Sequence, residues 1–231
     1  MAAVVPLESN PGVFTGLMQR LGGSPLLSFH DLYSVSEPEL LAFLPRPASA
    51  VVLLFPVSEA YEQLRQAEST QIPSPDGPFW LKQQVKNACG LYALLHILLN
   101  LPAGLVVAGS PVDKLRAELL RPNADPVRLV TELSNSLYDE YSQQGQTEAP
   151  AATDDVNLHF VAFVKTASGV FELDGRREGP VLLSANGGNN SESDVVDEQA
   201  VKDRLVQYFT LADSDNALKF AMMALAPSFD Y

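Results

Sequence analysis

The chain of 231 residues contains a single cysteine, Cys89, which stands directly before the apolar run that starts at Gly90. This run predicts a helix that begins at the cysteine. The start of a helix carries partial positive charge and backbone N–H groups without intrahelical partners, and both stabilise a thiolate over a thiol. The position therefore favours a nucleophilic cysteine. The alternative is a small buried hydrophobic residue, which is the usual role of a free cysteine.

A cysteine nucleophile needs a base to hold its proton, and the chain offers three histidines, His30, His96 and His159. His96 follows Cys89 by two turns of the same predicted helix, about 10 Å away, which is too far for a hydrogen bond. We expect it in the core. His30 follows Phe29 in a polar connection and is predicted to lie at the surface. His159, at the start of a predicted strand, is the candidate base.

The next predicted strand supplies a carboxylate that could orient this histidine. If residues 158–165 and 170–174 form a hairpin with a four-residue loop at 165–168, His159 lies directly opposite Asp174, with Cβ atoms about 4.5–5.5 Å apart. An imidazole between a thiol and a carboxylate is the arrangement of a catalytic triad. The alternative is a surface histidine–aspartate pair without a catalytic role.

Attack of a thiolate on a carbonyl group also requires donors for the oxyanion that forms. The backbone N–H of Cys89, at the helix start, is one candidate. A side-chain amide is the second, from Gln83 or Gln84, since residues 79–83 form a predicted strand that leads towards the cysteine. Residue types alone do not choose between the two glutamines. Asn87 is predicted to cap the helix.

The hydrophobic pattern around these residues predicts a mixture of helices and strands in one domain covering residues 1–231, with no internal repeat. Helices are predicted at residues 11–21, 38–44, 59–68, 89–100, 112–120, 125–142 and 198–211, and strands at 50–55, 79–83, 158–165, 170–174 and 218–225. The helix after the cysteine is apolar on every face, which predicts that it is covered all round. Polar segments at 143–155 and 184–194 predict two long loops.

Composition excludes several classes of protein. The net charge of −13 argues against a nucleic-acid surface, which needs clustered Lys and Arg. It favours a basic partner, although many proteins are acidic for other reasons. No signal peptide or membrane span is predicted, and a single cysteine excludes an internal disulfide, so we expect the cytosol and also the nucleus. No metal or cofactor is expected, and we expect a monomer.

Three separated blocks together resemble the signature segments of the ubiquitin C-terminal hydrolases, a papain-like family of cysteine deubiquitinases. They are Gln83…Asn87-Ala88-Cys89-Gly90, Leu158-His159-Phe160-Val161-Ala162 and Glu172-Leu173-Asp174-Gly175-Arg176. Further matches are Pro6-Leu7-Glu8-Ser9-Asn10-Pro11, Pro45-Arg46-Pro47 and Gly145-Gln146-Thr147-Glu148-Ala149-Pro150. The resemblance extends from residue 4 to about 225 and is close to the short, single-domain members.

The resemblance implies a role for each candidate residue. Cys89 would be the nucleophile, His159 the general base and then acid, and Asp174 the residue that orients His159. Gln83, six residues before the cysteine, would stabilise the oxyanion. The reaction implied is hydrolysis of amide or thioester bonds at the C-terminal glycine of ubiquitin. The implied fold is papain-like α/β (α+β), with a central antiparallel sheet flanked by helices and a knotted backbone.

The resemblance also implies how the substrate is held. Residues 143–155, from Gln143 to Asp155, would form a crossover loop above the cleft, which limits the leaving group to small or unfolded adducts. Contacts with ubiquitin are implied for four side chains, those of Leu7, Glu8, Asn10 and Asp31.

Two acidic positions depart from the family pattern, since Gly12 and Ala217 stand where close relatives carry Glu. This leaves open whether the modifier is ubiquitin or a ubiquitin-like protein. One alternative is therefore another papain-like peptidase, which acts on a ubiquitin-like modifier or on unrelated peptides. A second alternative is a protein that binds and sequesters ubiquitin through a misaligned triad, with little turnover. A third is a structural protein with an incidental cysteine.

Overall fold

The computed structural model describes residues 4–74, 76–142, 157–185, 194–212 and 218–229. The helices of this part of the chain are α1 (Pro11–Leu21), α2 (Pro38–Leu41), α3 (Glu59–Ala67), α4 (Cys89–Asn100), α5 (Pro111–Leu119), α6 (Pro126–Ser142) and α7 (Gln199–Thr210). The strands are β1 (Leu27–Asp31), β2 (Ala50–Pro56), β3 (Leu158–Thr166), β4 (Gly169–Leu173), β5 (Val181–Ala185) and β6 (Ala221–Pro227). Short 3-10 turns lie at Ala103–Leu105 and Val195–Asp197. No helix in these ranges has the length and apolarity needed to cross a membrane.

The six strands form one sheet in the order β1-β6-β2-β3-β4-β5, and every neighbouring pair is antiparallel. The central strands β2 and β3 pair over their full overlap, from Ala50 opposite Val164 to Pro56 opposite Leu158. Both are apolar along nearly their whole length, as expected for strands covered on two faces. The central antiparallel sheet flanked by helices is therefore confirmed. The knotted threading stays a prediction.

Helices cover the two faces of this sheet and create two cores. Alternate residues of β2 divide between them, with Val52 facing α1 and α4, and Val51 facing the side of α3 and α7. Every residue of α4 from Cys89 to Leu99 is buried. This confirms the prediction of a helix that is covered all round, and it fixes the start of α4 rigidly against the sheet.

Local side-chain signals set the ends of α1 and the start of α3, whose bounds agree with the prediction, whereas the helix predicted at residues 38–44 ends at Leu41. The Asn10 side chain accepts hydrogen bonds from the backbone N–H groups of Gly12 (2.9 Å) and Val13 (3.3 Å) at the start of α1. Gly22 ends that helix with φ of 112°, a left-handed conformation that glycine adopts without strain. The Ser58 hydroxyl accepts from the Tyr61 N–H at the start of α3. Such side-chain caps stabilise a helix by about 1 kcal/mol each.

The predicted register of the β3–β4 hairpin is wrong. Thr166 pairs with Gly169, so the turn contains only two residues instead of four, and Ala162 pairs with Leu173. Gly169 accommodates the tight turn because its φ of 154° is not restricted by a side chain. The register differs from the predicted one by two residues, an even number. The side chains of β3 and β4 therefore keep the predicted faces, and His159 reaches Asp174 diagonally.

Three other local predictions are also wrong. Residues 79–83 are extended but form no strand, because their polar groups bond to a helix and a turn and not to a sheet edge. The N-cap of α4 is Ala88, without a side-chain cap hydrogen bond, while Asn87 lies one residue earlier with φ of 61°. Strands β1 and β5 were not predicted. The β5 residues Ser184 and Ala185 belong to the sheet and not to a loop.

Candidate active site

The thiol of Cys89 lies at the first residue of α4, where the helix meets the sheet. Cys89 is buried. The first intrahelical hydrogen bond runs from the Tyr92 N–H to the Ala88 carbonyl, so the backbone N–H groups before Tyr92 have no partner within the helix. The N-terminal segment covers this point, because a Cβ added to Gly90 would approach Leu7 atoms to 3.0 Å. The helix start is thus a fixed site with backbone donors beside the thiol.

His159 and Asp174 come from two neighbouring strands and form a buried pair. His159 is the second residue of β3, and Asp174 directly follows the last residue of β4. The His159 Nε2 lies 2.7 Å from Asp174 Oδ1. The pair is buried almost completely, so this hydrogen bond is shielded from water. Asp174 therefore fixes both the ring orientation and the ring nitrogen that carries the proton.

The imidazole of His159 also acts on the Cys89 thiol through its charge and its capacity for hydrogen bonding. Because Nε2 is engaged by Asp174, this interaction falls to Nδ1. Burial raises the pKa of the Cys89 thiol. Hydrogen bonding and charge from His159 lower this pKa, as do the backbone groups of Phe160 and Gly90, and together they outweigh burial. The net pKa lies below the ordinary thiol value. The chain from thiol to imidazole to carboxylate is continuous.

The pKa of His159 moves in the opposite direction. Burial lowers it, but the charge and hydrogen bond of Asp174, together with the Cys89 thiol, raise it to about 9. A lowered thiol pKa beside a raised imidazole pKa favours a thiolate–imidazolium pair at neutral pH. The thiolate is the nucleophilic form of cysteine. The arrangement can therefore supply a thiolate for nucleophilic attack.

Asp174 stays ionised because several donors converge on it. Burial raises the pKa of its carboxyl, but this is outweighed by His159, by the Tyr61 hydroxyl at 2.6 Å and by the Arg176 N–H at 2.8 Å. Its pKa therefore lies well below the usual range. The indole N–H of Trp80 donates to the Asp174 carbonyl oxygen at 2.9 Å. Both the side chain and the backbone of this aspartate are held in place.

Gln83 lies against the turn that follows Asp174. Its backbone N–H donates to the Gly175 carbonyl at 2.9 Å, and its side-chain Nε2 donates to the Val85 carbonyl at 3.1 Å. A Cβ on Gly175 would lie only 2.9 Å from the Gln83 Cβ, so the close approach requires glycine. One amide hydrogen of Gln83 remains for a further acceptor. The neighbouring Gln84 side chain is exposed, which supports the choice of Gln83 as the oxyanion donor.

The other two histidines lie away from the thiol. His96 is buried in the core, with its Nε2 about 3 Å from the Leu81 backbone, and burial lowers its pKa to about 4. It is therefore neutral, as expected for a core residue. His30 lies within β1, half-buried, with Nε2 3.0 Å from the Pro227 carbonyl, so the prediction of a surface connection is wrong. The alternating pattern of β1 is too short to have indicated this.

The residues predicted to contact the substrate occupy different environments. Leu7 is buried against Gly90, so its side chain supports the start of α4 and offers little surface to a substrate. Asn10 caps α1, and Glu8 beside it is half-buried. Asp31 is exposed at the end of β1. The crossover loop from Gln143 to Asp155 lies outside the described residues, as does Ala217.

Asp31 borders a surface pocket of about 350 Å³. The other lining residues are mostly apolar, namely Leu32, Tyr33, Phe209, Phe220, Ala221 and Met222. A carboxylate at the edge of an apolar pocket suits a partner with apolar and basic side chains on one surface. Within the described ranges there is no cluster of His, Cys, Asp and Glu that could hold a metal ion.

Tyr61 and Trp80 contact Asp174 but were not recognised in the sequence. Tyr61 is separated from Asp174 by 113 residues, and no motif connects them. One signal was available: Tyr61 is the lone aromatic residue of the polar helix α3 and its only buried side chain. A lone aromatic residue on a polar helix indicates a contact with the core.

The comparisons with known proteins agree with this geometry. The family description "ubiquitin carboxyl-terminal hydrolase, family 1" matches residues 4–209. The chain is 39% identical to ubiquitin carboxyl-terminal hydrolase YUH1 of Saccharomyces cerevisiae, covering 99% of this chain and 98% of that protein. It is 33% identical to a ubiquitin carboxyl-terminal hydrolase of Drosophila melanogaster, covering 97% and 98% of the two chains. The chain therefore belongs to family 1 of the ubiquitin carboxyl-terminal hydrolases, which are cysteine-type hydrolases.

A solved structure shares the fold. The crystal structure of the Trichinella spiralis UCH37 catalytic domain, bound to ubiquitin vinyl methyl ester, superposes with a TM-score of 0.74 at 22% sequence identity. The match covers 99% of this chain and 97% of that chain. This agreement confirms the predicted papain-like α/β fold.

Proposed function

We propose that this chain hydrolyses amide and thioester bonds at the C-terminal glycine of ubiquitin, with Cys89, His159 and Asp174 as its catalytic residues. One observation carries the assignment of these residues: the buried His159 is hydrogen-bonded to the Asp174 carboxylate and lowers the pKa of the Cys89 thiol. Membership of the family supplies the substrate class. Both lines of support concern the same buried cysteine.

In the first half of the proposed reaction, the Cys89 thiolate attacks the carbonyl carbon of the terminal glycine. A C–S bond forms and the carbonyl oxygen becomes an oxyanion, which accepts hydrogen bonds from the Cys89 N–H and the free amide hydrogen of Gln83. The intermediate then collapses, and the bond to the leaving amine or thiol breaks. The His159 imidazolium gives its proton to that leaving group. A thioester between ubiquitin and Cys89 remains.

In the second half, water releases ubiquitin. Neutral His159 removes a proton from the water as the oxygen attacks the thioester carbon. The second tetrahedral intermediate collapses with cleavage of the C–S bond, which restores the Cys89 thiolate beside the His159 imidazolium. Throughout, Asp174 keeps the imidazole in one orientation and stabilises its charged form. Its low pKa means that it does not take up the proton itself.

Substrate selection is proposed to depend on charge and shape. Ubiquitin ends in a basic tail that closes with two glycines, and a chain of net charge −13 attracts such a tail. Asp31, exposed beside the apolar pocket, is a contact for the basic surface of ubiquitin. Glu8 is the second acidic contact. The loop between Gln143 and Asp155 is proposed to limit the leaving group, because it lies between α6 and β3 in the sequence and ends four positions before His159.

The aligned site favours turnover over sequestration. A protein that only binds ubiquitin would not need a buried histidine that is coupled to both the thiol and the carboxylate. We also propose that the enzyme acts as a monomer. We propose the cytosol or the nucleus as its location, since a chain with one cysteine forms no internal disulfide.

Hydrolysis of a fluorogenic ubiquitin C-terminal amide tests the proposed function. The wild type is expected to turn over the substrate, and Cys89→Ala to lose turnover while it still binds ubiquitin. Parallel assays with the same fluorophore on ubiquitin-like modifiers measure the preference for ubiquitin. Turnover that survives in Cys89→Ala would refute the assignment of the nucleophile. A folded wild type that binds ubiquitin without turnover would instead support sequestration.

A further inference from the structure

A tyrosine hydroxyl holds the outer oxygen of the Asp174 carboxylate. Tyr61 donates to Asp174 Oδ2 at 2.6 Å, while the other oxygen, Oδ1, is bonded to His159 Nε2 and to the Arg176 N–H. We propose that Tyr61 is a positioning residue of the triad: by fixing Oδ2, it sets the orientation in which Oδ1 aligns His159 with the Cys89 thiol. This inference rests on the proposed function of the triad.

The Tyr61 bond is needed because no other donor holds Oδ2 in the described part of the chain. The nearest cation, Arg177, lies with its Nε 3.8 Å from Oδ2, beyond hydrogen-bond distance, and that Nε is bonded to Glu172 at 3.0 Å. Without the hydroxyl, a buried oxygen loses its partner, and the carboxylate is held only through Oδ1, so its χ2 angle is less restricted. Rotation would move Oδ1 away from the His159 ring.

Tyr61 is itself rigid enough to position another residue. Its ring is buried and packs edge-on against Phe55, with ring centroids 4.9 Å apart. The Ser58 hydroxyl caps its backbone N–H, and the Arg176 guanidinium lies 5.7 Å from its ring centre. Burial and the Asp174 charge raise the pKa of Tyr61 far above its usual value. The hydroxyl therefore keeps its proton and donates to Asp174 over the whole working pH range.

Charged and titratable groups from several elements surround Asp174. Any of them could contribute to a change in the pH profile of a variant, so each must be considered. They are His159 on β3, Glu172 on β4, Arg176 and Arg177 in the following turn, Tyr61 and Arg65 on α3, His96 on α4 and Tyr208 on α7. Replacing Tyr61 by Phe leaves the charge of every one of these groups unchanged. A shifted profile in that variant therefore reports orientation, and not altered net charge.

Tyr208 provides a matched control in the same cluster. It is equally buried, and its hydroxyl donates to a buried carboxylate, Glu172 Oε1, at 2.9 Å. Within the described residues, the Glu172 carboxylate is hydrogen-bonded to Arg177, Arg204 and Tyr208, and no hydrogen bond joins it to His159. Removal of either hydroxyl takes one donor from one buried carboxylate. Of these two carboxylates, only that of Asp174, which accepts from Tyr61, belongs to the triad.

The first test is the pH profile of Cys89 alkylation by iodoacetamide, measured without ubiquitin. Because His159 lowers the pKa of the Cys89 thiol, a misaligned imidazole must raise it. We expect Tyr61→Phe to move the profile upward by about half a pH unit or more, about a threefold loss of thiolate on the acid side. Tyr208→Phe is expected to keep the wild-type profile while it lowers the melting temperature.

The second test is kinetic and uses a double-mutant cycle with Asp174→Asn. In the wild-type background, Tyr61→Phe is expected to lower kcat about tenfold and to leave KM within about twofold, because it touches no substrate. In the Asp174→Asn background it is expected to cause no further loss, since the carboxylate through which it acts has gone. Equal losses in both backgrounds, or a wild-type alkylation profile in Tyr61→Phe, would overturn the proposal.

If Tyr61→Phe does not fold, Ser58→Ala provides a second test of the proposal. Ser58→Ala removes the cap of the Tyr61 backbone N–H and keeps the hydroxyl, so a smaller upward shift of the alkylation profile is expected, and no shift would count against the proposal. The alkylation assay also separates the two hypotheses. If the wild type does not cleave ubiquitin but the Tyr61→Phe shift is present, the proposed function fails and the positioning role stands.

Discussion

Substitution of Gly175 by alanine would test whether the position of Gln83 matters for catalysis. Gly175 follows Asp174, and its carbonyl accepts the Gln83 N–H at 2.9 Å. A Cβ at this position would lie 2.9 Å from Gln83 Cβ and 3.3 Å from its backbone nitrogen. Ordinary van der Waals contact begins near 3.4 Å, so the Gln83 backbone must move by about 0.5 Å or more. Neither atom is the far end of a flexible side chain that could turn aside.

The expected consequence is a loss of turnover with little change in binding. A displacement of this size at an oxyanion donor lowers kcat by about tenfold to a hundredfold, while KM for the ubiquitin amide changes by about twofold or less. Overpacking also lowers the free energy of unfolding by about 1–3 kcal/mol. Steady-state kinetics with the fluorogenic substrate and a thermal melt measure the two effects separately.

Gly104→Ala is the matched control. A Cβ at Gly104 meets no atom within 4 Å, so kcat and the melting temperature should stay at the wild-type values. Full kcat in Gly175→Ala would show that the close approach between Gly175 and Gln83 has no bearing on the reaction.

Three further outcomes are expected from the site. Gln83→Ala should lower kcat by about a hundredfold to a thousandfold. The Gln84 side chain is exposed, so kcat of Gln84→Ala should stay within about twofold of the wild-type value. Similar losses of kcat in both variants would contradict the assignment of Gln83. Asn10→Ala removes two hydrogen bonds at the start of α1 and should lower the free energy of unfolding by about 1 kcal/mol in a denaturant titration, so an unchanged midpoint would exclude the capping role. The pH profile of kcat/KM should rise with ionisation of Cys89, below the ordinary thiol range, and fall as the pH passes about 9, where His159 loses its proton. A profile that still rises at pH 10 would contradict the thiolate–imidazolium pair.

Local signals in the sequence predicted the helices well because each signal acts within a few residues. The helices predicted at residues 11–21 and 59–68 agree with α1 and α3 to within one residue. The continuous apolar run after Cys89 predicted the buried helix α4 in the same way.

Contacts between distant segments could not be predicted from such signals. The two-residue turn at residues 167–168 shifted the β3–β4 register, because turn length depends on the conformation of Gly169 and not on the apolar pattern of the strands. The extended segment 79–83 makes its hydrogen bonds with the turn at Gly175 and with His96, which explains why a strand pattern there forms no strand. The hydroxyl of Tyr61 reaches Asp174 across 113 residues.

The candidate site was easier to predict than its support. Cys89 and His159 were indicated by residue type and position, and the even register shift left Asp174 on the predicted face. The side chains that hold these residues, such as Tyr61 and Trp80, are common types without a distinctive spacing. Their roles follow only from the folded geometry.

The most direct test of Cys89 as the nucleophile is whether it forms a covalent bond with the C-terminus of ubiquitin. The wild type would be incubated with ubiquitin that carries a C-terminal vinyl methyl ester, and the intact mass and the modified peptide would be determined by mass spectrometry. We expect one ubiquitin per chain, attached at Cys89, and no adduct in Cys89→Ala. Absence of the adduct in a folded wild type, or an adduct that persists in Cys89→Ala, would contradict the assignment of Cys89 as the nucleophile that attacks the ubiquitin C-terminus.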